Sequence, residues 1–194
     1  MISHFLLTPP MVEPVTVADL KAHARIDGIS DDALLGGLNK AARGWCEKFT
    51  RRAFVDQTWQ LWLSKGPESD FINLPRAPLI AVTGCQVFDD NDTPTLWSAL
   101  NYFVDLPAGR LVLRTGSVWP PLSRAANGFE VTYRAGYGAD GSSVPEEIKL
   151  AIKQLALHWY EYRGEGILSA QVAKPPLTIE ALLMPYRLQS LGDA

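Results

Sequence analysis

The sequence predicts an α+β fold, a helical core interrupted by an antiparallel β insertion. Three observations carry this. Apolar residues recur with helical period in residues 16–53 and again in 143–163, the period changes to strand-like alternation between 54 and 138, and turn clusters cut that middle stretch into short segments. Helices at both ends with strands between them give segregated layers, not alternating βαβ units. The predicted organisation is one domain over 1–194. It has an extended arm (1–15), a helical core (16–53 plus 143–163), the β insertion (54–138) and a tail (164–194) with a short final helix.

The arm carries Phe5, Leu6 and Leu7 ahead of Pro9, Pro10 and Pro14. An apolar arm of this kind packs either on its own domain or on a neighbouring chain. Thr16 and Asp19 then have capping-box spacing, with Asp in place of Glu, and Val17, Leu20 and Ala24 form a narrow stripe. A helix is expected to Arg25, ended by Asp27-Gly28.

A longer helix is expected from Ser30 to Arg52, capped by Ser30. Asp31 and Asp32 suit its positive end, and Lys48, Arg51 and Arg52 its negative end. Leu34, Leu38, Ala41, Trp45 and Phe49 share its apolar face. Gly36, Gly37 and Gly44 are unexpected, since each interior glycine costs about 1 kcal/mol relative to alanine. Ala33, Gly37 and Gly44 make a small-residue flank beside the apolar face. Either another helix approaches there, or the glycines are tolerated at exposed positions.

In the insertion, Thr58–Leu63 puts Trp59, Leu61 and Leu63 on one side and Trp62 on the other. Further strands are expected at Phe71–Leu74, Ile80–Phe88 (with Gly84 marking a bulge), Leu96–Trp97 and Phe129–Ala135. Tyr102–Asp105 and Arg110–Arg114 read as a hairpin about Pro107-Ala108-Gly109.

The clearest helix is Ser143–Arg163, with Ser143 and Glu146 at capping-box spacing and Pro145 in the first turn. Ile148, Ile152, Leu155, Trp159 and Tyr162 share one face, and Leu150 and Leu157 lie nearly opposite. Two apolar stripes need two partners, the second from this chain or from another. Residues 167–177 look extended, and a short helix from Thr178 is expected to stop at Pro185.

The chain has 194 residues, 47% hydrophobic and 20% charged, with a net charge of −3. That is soluble globular composition, and it disfavours a broad basic nucleic-acid surface. No signal peptide and no run approaching ~18 apolar residues is present, so no membrane association is expected and synthesis is cytoplasmic. Cys46 and Cys85 read as free thiols. No nucleophile elbow, phosphate loop, dinucleotide fingerprint or zinc spacing occurs. Catalytic, cofactor and metal residues are accordingly read as none, and the chain as not an enzyme. His158 and Glu161 have ligand spacing but stand alone, which favours packing. Asp89, Asp90 and Asp92 read as a hairpin turn, not a calcium loop. Lys48, Arg51 and Arg52 compensate the helix dipole more cheaply than they make a DNA patch. Trp59 reads as core; Trp62, Trp97 and Trp119, if exposed, would make the insertion a sugar- or peptide-binding module. A hydrolase whose catalytic residues are scattered in sequence is a weaker alternative.

From about Glu13 to Arg187 the chain resembles the head–tail connector (adaptor) proteins of long-tailed double-stranded DNA phages, prophages and gene transfer agents, in the subfamily with a β insertion. The residues carrying the resemblance begin with Glu13-Pro14-Val15-Thr16, Leu20–His23, Asp31-Asp32 and Phe49–Ala53. They continue through Gln57-Thr58-Trp59, Leu74–Leu79, Ala135–Gly138 and Val144-Pro145. Ile148-Lys149, Ala151-Ile152, His158–Glu161 and Ile179–Arg187 complete the set. The resemblance implies a structural role: a homo-oligomeric, dodecameric ring under the portal protein, at the head–tail junction of a virion assembled in the host cytoplasm. A tail-side stopper or terminator would sit below it, and DNA would pass through a weakly negative lumen without sequence-specific binding. It also makes Leu150, Leu157, Gly37 and Gly44 candidates for inter-subunit contact, and Leu182, Leu183, Tyr186 and Arg187 candidates for contact with the portal.

Overall fold

The computed structural model describes residues 2–162 and 175–188. The chain divides into two compact units, one built from Val12–Val55 and Gly138–Ala194, the other from Met1–Met11 and Asp56–Tyr137.

The first unit is helical. Helix α1 (Val17–Ala24) starts with the predicted reciprocal cap: the Asp19 N–H donates to Thr16 Oγ1 at 3.0 Å, and the Thr16 N–H donates to Asp19 Oδ2 at 2.9 Å. It ends at Arg25 in the left-handed conformation. Helix α2 (Asp32–Thr50) is capped at Asp31, not Ser30, and the Asp31 side chain makes no bond to the helix start; it accepts from the Tyr160 hydroxyl. Helix α3 (Glu146–Glu161) also departs from expectation at its start. Ser143 belongs to a 3-10 turn, Gly141–Ser143, closed by Asp140 accepting from the Ser142 N–H at 2.8 Å, and Pro145 takes the cap position. The turn lies so close to the chain at Pro14 that a Cβ on Gly141 would sit 2.6 Å from the Pro14 carbonyl oxygen. Only glycine permits that approach. Helix α4 (Leu177–Leu183) runs on into a 3-10 turn, Met184–Tyr186, that contains Pro185. Proline does not stop the chain there, because at the start of a new turn its missing N–H is not needed.

α3 packs against α1, α2 and α4. Ile148, Ile152 and Leu155 are fully buried, as their stripe predicts. Leu157, on the opposite face, is buried as well, so its own chain supplies the second partner at that position; Leu150 stays half-buried.

α2 is turned relative to the apolar face read from its sequence. Its buried residues are Leu35, Asn39, Ala42, Cys46, Glu47 and Thr50. Small Ala42, Cys46 and Thr50 line this side of the helix, where α3 packs. Most of the buried polar atoms find partners, Asn39 Oδ1 excepted, which removes much of their desolvation cost. Asn39 Nδ2 donates to the Val15 carbonyl at 2.6 Å, and Thr50 Oγ1 donates to the Cys46 carbonyl at 2.8 Å. Glu47 accepts from the Phe54 N–H at 2.9 Å and from Arg43 at 2.7 Å. Arg43 also donates to Glu13 at 2.7 Å; burial alone would lower its pKa, but the Glu47 and Glu13 charges outweigh burial and raise it.

The second unit holds two antiparallel sheets among the described residues. Strands β1 (Ile2–Thr8), β2 (Gln57–Leu63), β4 (Leu79–Phe88), β5 (Pro94–Leu96) and β8 (Phe129–Ala135) form one, in the order β1-β2-β8-β4-β5. Strands β3 (Phe71–Asn73), β6 (Tyr102–Asp105) and β7 (Arg110–Leu113) form the other, in the order β3-β7-β6. β6 and β7 are the predicted hairpin, and the register shift between Val82 and Gly84 is the predicted bulge. β2 alternates as read, burying Gln57, Trp59, Leu61 and Leu63. The arm is not merely extended: β1 pairs with β2, His4 opposite Leu61 and Leu6 opposite Trp59. The turn after β4 is stapled by Asp89 Oδ1, which accepts from the Asn91 and Thr93 N–H groups at 2.9 and 2.8 Å.

Candidate assembly interface

The outward side of α2 is the most conspicuous surface of the helical unit. Leu34 is 42% exposed, Leu38 and Trp45 are half-buried, and Ala41 is exposed. These are the residues the sequence assigns to one apolar face; the rotation of the helix leaves them outside. Gly37 and Gly44 continue this side at about 100° per residue, and a Cβ on either would meet nothing within 4 Å. Neither glycine is required by its own chain. Trp45 stacks on Phe49 at 5.3 Å, and the Arg187 guanidinium lies 5.4 Å from the Phe49 ring. Lys40, Lys48 and Arg51 are exposed along the same helix. Its two carboxylates are engaged elsewhere, Asp32 with Lys21 at 2.8 Å and Glu47 with Arg43.

α3 presents a different outward strip. Glu147, Leu150, Gln154 and Glu161 follow one another at helical spacing, the two glutamates exposed and the other two half-buried. Leu157, expected to share this strip, has too little exposed surface to offer a partner, at 7%.

The C-terminal segment docks back on its own helices. Leu183, like Ile179, is fully buried and belongs to the core of this unit. Tyr186 is tied at both ends, its hydroxyl donating to Glu147 at 2.8 Å and its carbonyl accepting from Arg52 at 2.5 Å. The Leu188 N–H donates to the Thr50 carbonyl at 2.9 Å. What faces outward is Leu177, Met184 and Arg187, with Leu182 half-buried.

The tryptophans of the β unit form no open platform. Trp97 packs on Tyr102, Trp119 and Phe129 at 5.2, 5.4 and 5.5 Å, and Trp119 Nε1 donates to the Ser69 carbonyl at 2.8 Å. Trp62 lies 5.1 Å from Phe88 on the other face of the sheet. Trp59 stacks on His4 at 4.5 Å, and the Arg76 guanidinium also lies 4.5 Å from its ring. His4 Nε2 also reaches the Tyr133 hydroxyl at 2.9 Å, and burial, with the Arg76 charge second, pushes its pKa down to about 4. His158 rests 4.8 Å from Tyr162. Burial pushes the Cys46 and Cys85 thiols up to about 12, so neither is a thiolate near neutral pH. Among the described residues no three His, Cys, Asp or Glu side chains gather as a metal site. No described helix is long and apolar enough to cross a membrane.

The geometry is that of a protein with surfaces to offer, and the comparisons agree. A chain in the neck of an empty gene transfer agent particle, computed with C6 symmetry, matches with a TM-score of 0.79 and 26% identity, over 100% of this chain and 98% of that one. A chain in the neck of the native particle, computed with C12 symmetry, matches with a TM-score of 0.76 and 26% identity over the same shares. A chain of the native gene transfer agent virion shares the fold, with a TM-score of 0.78 and 24% identity over 98% of each chain. No curated protein matches. The sequence model of the head completion protein family matches residues 13–188, nearly the whole described chain, and the chain belongs to that family.

Proposed function

We propose that this protein is a head–tail connector, a structural subunit of a ring at the head–tail junction of a virion through whose lumen DNA passes. The observation that carries this is the family match over 13–188 joined to a full-length likeness to chains from particle necks. A ring of twelve is the reading, since twelve copies satisfy both C12 and C6 symmetry. Cyclic closure requires two different faces on each subunit. The outward side of α2 at Gly37 and Gly44, and α3 at Leu150, are proposed to supply them; Leu157 contributes by holding α3 in place. Leu182 and Arg187, held in position by Tyr186 and Leu183, are the proposed contact with the portal, and a stopper or terminator protein meets the other side. No catalytic step enters this role.

Deleting the gene from a producing strain should leave DNA-filled heads that lack tails, and restoring the full chain should restore joined particles. Electron microscopy with averaging of the necks should then resolve a twelve-fold ring of this chain. Joined particles in the deletion strain would sink the proposal.

A further inference from the structure

The two outward helix faces differ in charge as well as shape. The side of α2 that exposes Leu34 and Ala41 is bordered by Lys40, Lys48 and Arg51 and has no free carboxylate. The strip on α3 centred on half-buried Leu150 is bordered by exposed Glu146, Glu147 and Glu161, while the half-buried Lys149 and Lys153 on one flank face Asp19 of α1. Among the described residues Glu147 accepts from the Tyr186 hydroxyl at 2.8 Å, and Glu146 pairs with Lys149 at 2.9 Å within its own helix.

We propose that the basic, apolar side of α2 in one subunit seats against the acidic strip of α3 in the next copy of the same chain. This rests on the ring reading and names the seam that closes it. A second copy is the occupant because the two faces complement each other within one sequence, apolar centre to apolar centre and cations to carboxylates. A heterologous contact repeated around an axis needs that arrangement. Open space over Gly37 and Gly44 lets the facing helix come close, so that Leu38 and Trp45 reach Leu150. The flanking charges fix register and exclude the wrong pairing, since α2 against α2 or α3 against α3 would set like charges together.

The test is charge reversal with full-length chains supplied to the deletion strain. One variant carries Lys40→Glu and Lys48→Glu, another Glu146→Lys and Glu161→Lys, which leaves the Glu147–Tyr186 bond intact, and a third carries all four. Every position is exposed, so thermal unfolding of each purified variant should stay close to that of the parent chain. Incorporation into necks, read by immunoblot of purified particles, should fall ~10-fold or more in each reversed variant, a loss of a few charge pairs per seam. The four-fold variant, in which every seam again pairs opposite charges, should recover most of it. Full incorporation of either reversed variant, or no recovery in the four-fold one, would overturn the seam. Absence of the parent chain from necks would overturn the ring itself, a different result.

Discussion

His4 adds a side-chain anchor to the pairing that holds the arm against β2. It stacks on Trp59, bonds the Tyr133 hydroxyl and faces Arg76, so β1 is fastened to the sheet by a neutral imidazole. Its pKa of about 4 in the folded chain, against 6.5 for the free group, fixes the sign of the pH effect. Between those values the unfolded chain binds the proton and the folded one does not, so stability falls as pH drops from 6.5 towards 4. Below about 4 the loss is complete. Thermal unfolding followed between pH 7 and pH 4 should therefore descend more steeply in the parent chain than in His4→Gln, which keeps a polar ring-sized group without the titration. Equal slopes would mean that His4 is protonated without strain and does not anchor the arm.

At the scale of the element, α2 presents a choice between two faces. The sequence marks Leu34, Leu38, Ala41, Trp45 and Phe49 by hydrophobic periodicity, and the fold buries Leu35, Ala42, Cys46 and Thr50. The two glycines on the outer side supply the discriminating substitution. Gly37→Ala and Gly44→Ala place a methyl group in open space, so the isolated chain should gain up to about 1 kcal/mol per site in urea unfolding. If a neighbouring helix needs that space, the same double variant should enter necks less readily than the parent. A more stable subunit that assembles worse is the expected outcome. Greater stability with unimpaired assembly would leave the glycines without a role in contact.

The misreading of α2 has a physical origin. Periodicity counts apolar side chains, and here the buried side of the helix is built largely from small ones, with Asn39 and Glu47 bonded to groups at Val15 and Phe54. Those partners are not adjacent in sequence, so nothing local announces them. The strands were legible because alternation in β2 and β8 and the turn residues between β6 and β7 are local signals. β1 was legible as extended and apolar, but its pairing with a strand more than fifty residues away was not. The Thr16 cap was correct because both of its partners lie within one turn; the Ser143 cap failed because Pro145 and the Asp140 turn compete for the same positions. Of the proposed contact residues, Gly37, Gly44 and Leu150 retain surface, while Leu157 and Leu183 went to the core, since an apolar residue on a short amphipathic helix looks the same whether its partner is its own chain or another.

For the whole molecule the decisive property is charge. Each copy carries a net −3, and a ring multiplies that figure, while the proposed seams would take up the basic faces of α2. A bore so constituted should let duplex DNA slide without gripping it, because affinity for the phosphate backbone comes from cations that displace condensed counterions. Fluorescence anisotropy of a labelled duplex should thus be unchanged by the full-length chain even near ~50 mM salt, where a protein making several phosphate contacts binds strongly. Reversal of Glu146 and Glu161 to lysine supplies the positive control, since it adds cations to an exposed strip. Binding by the parent chain that weakens steeply with added salt, and that persists in Lys40→Glu with Lys48→Glu, would reveal a basic track outside the α2 face. The connector would then hold the genome in place instead of merely letting it through.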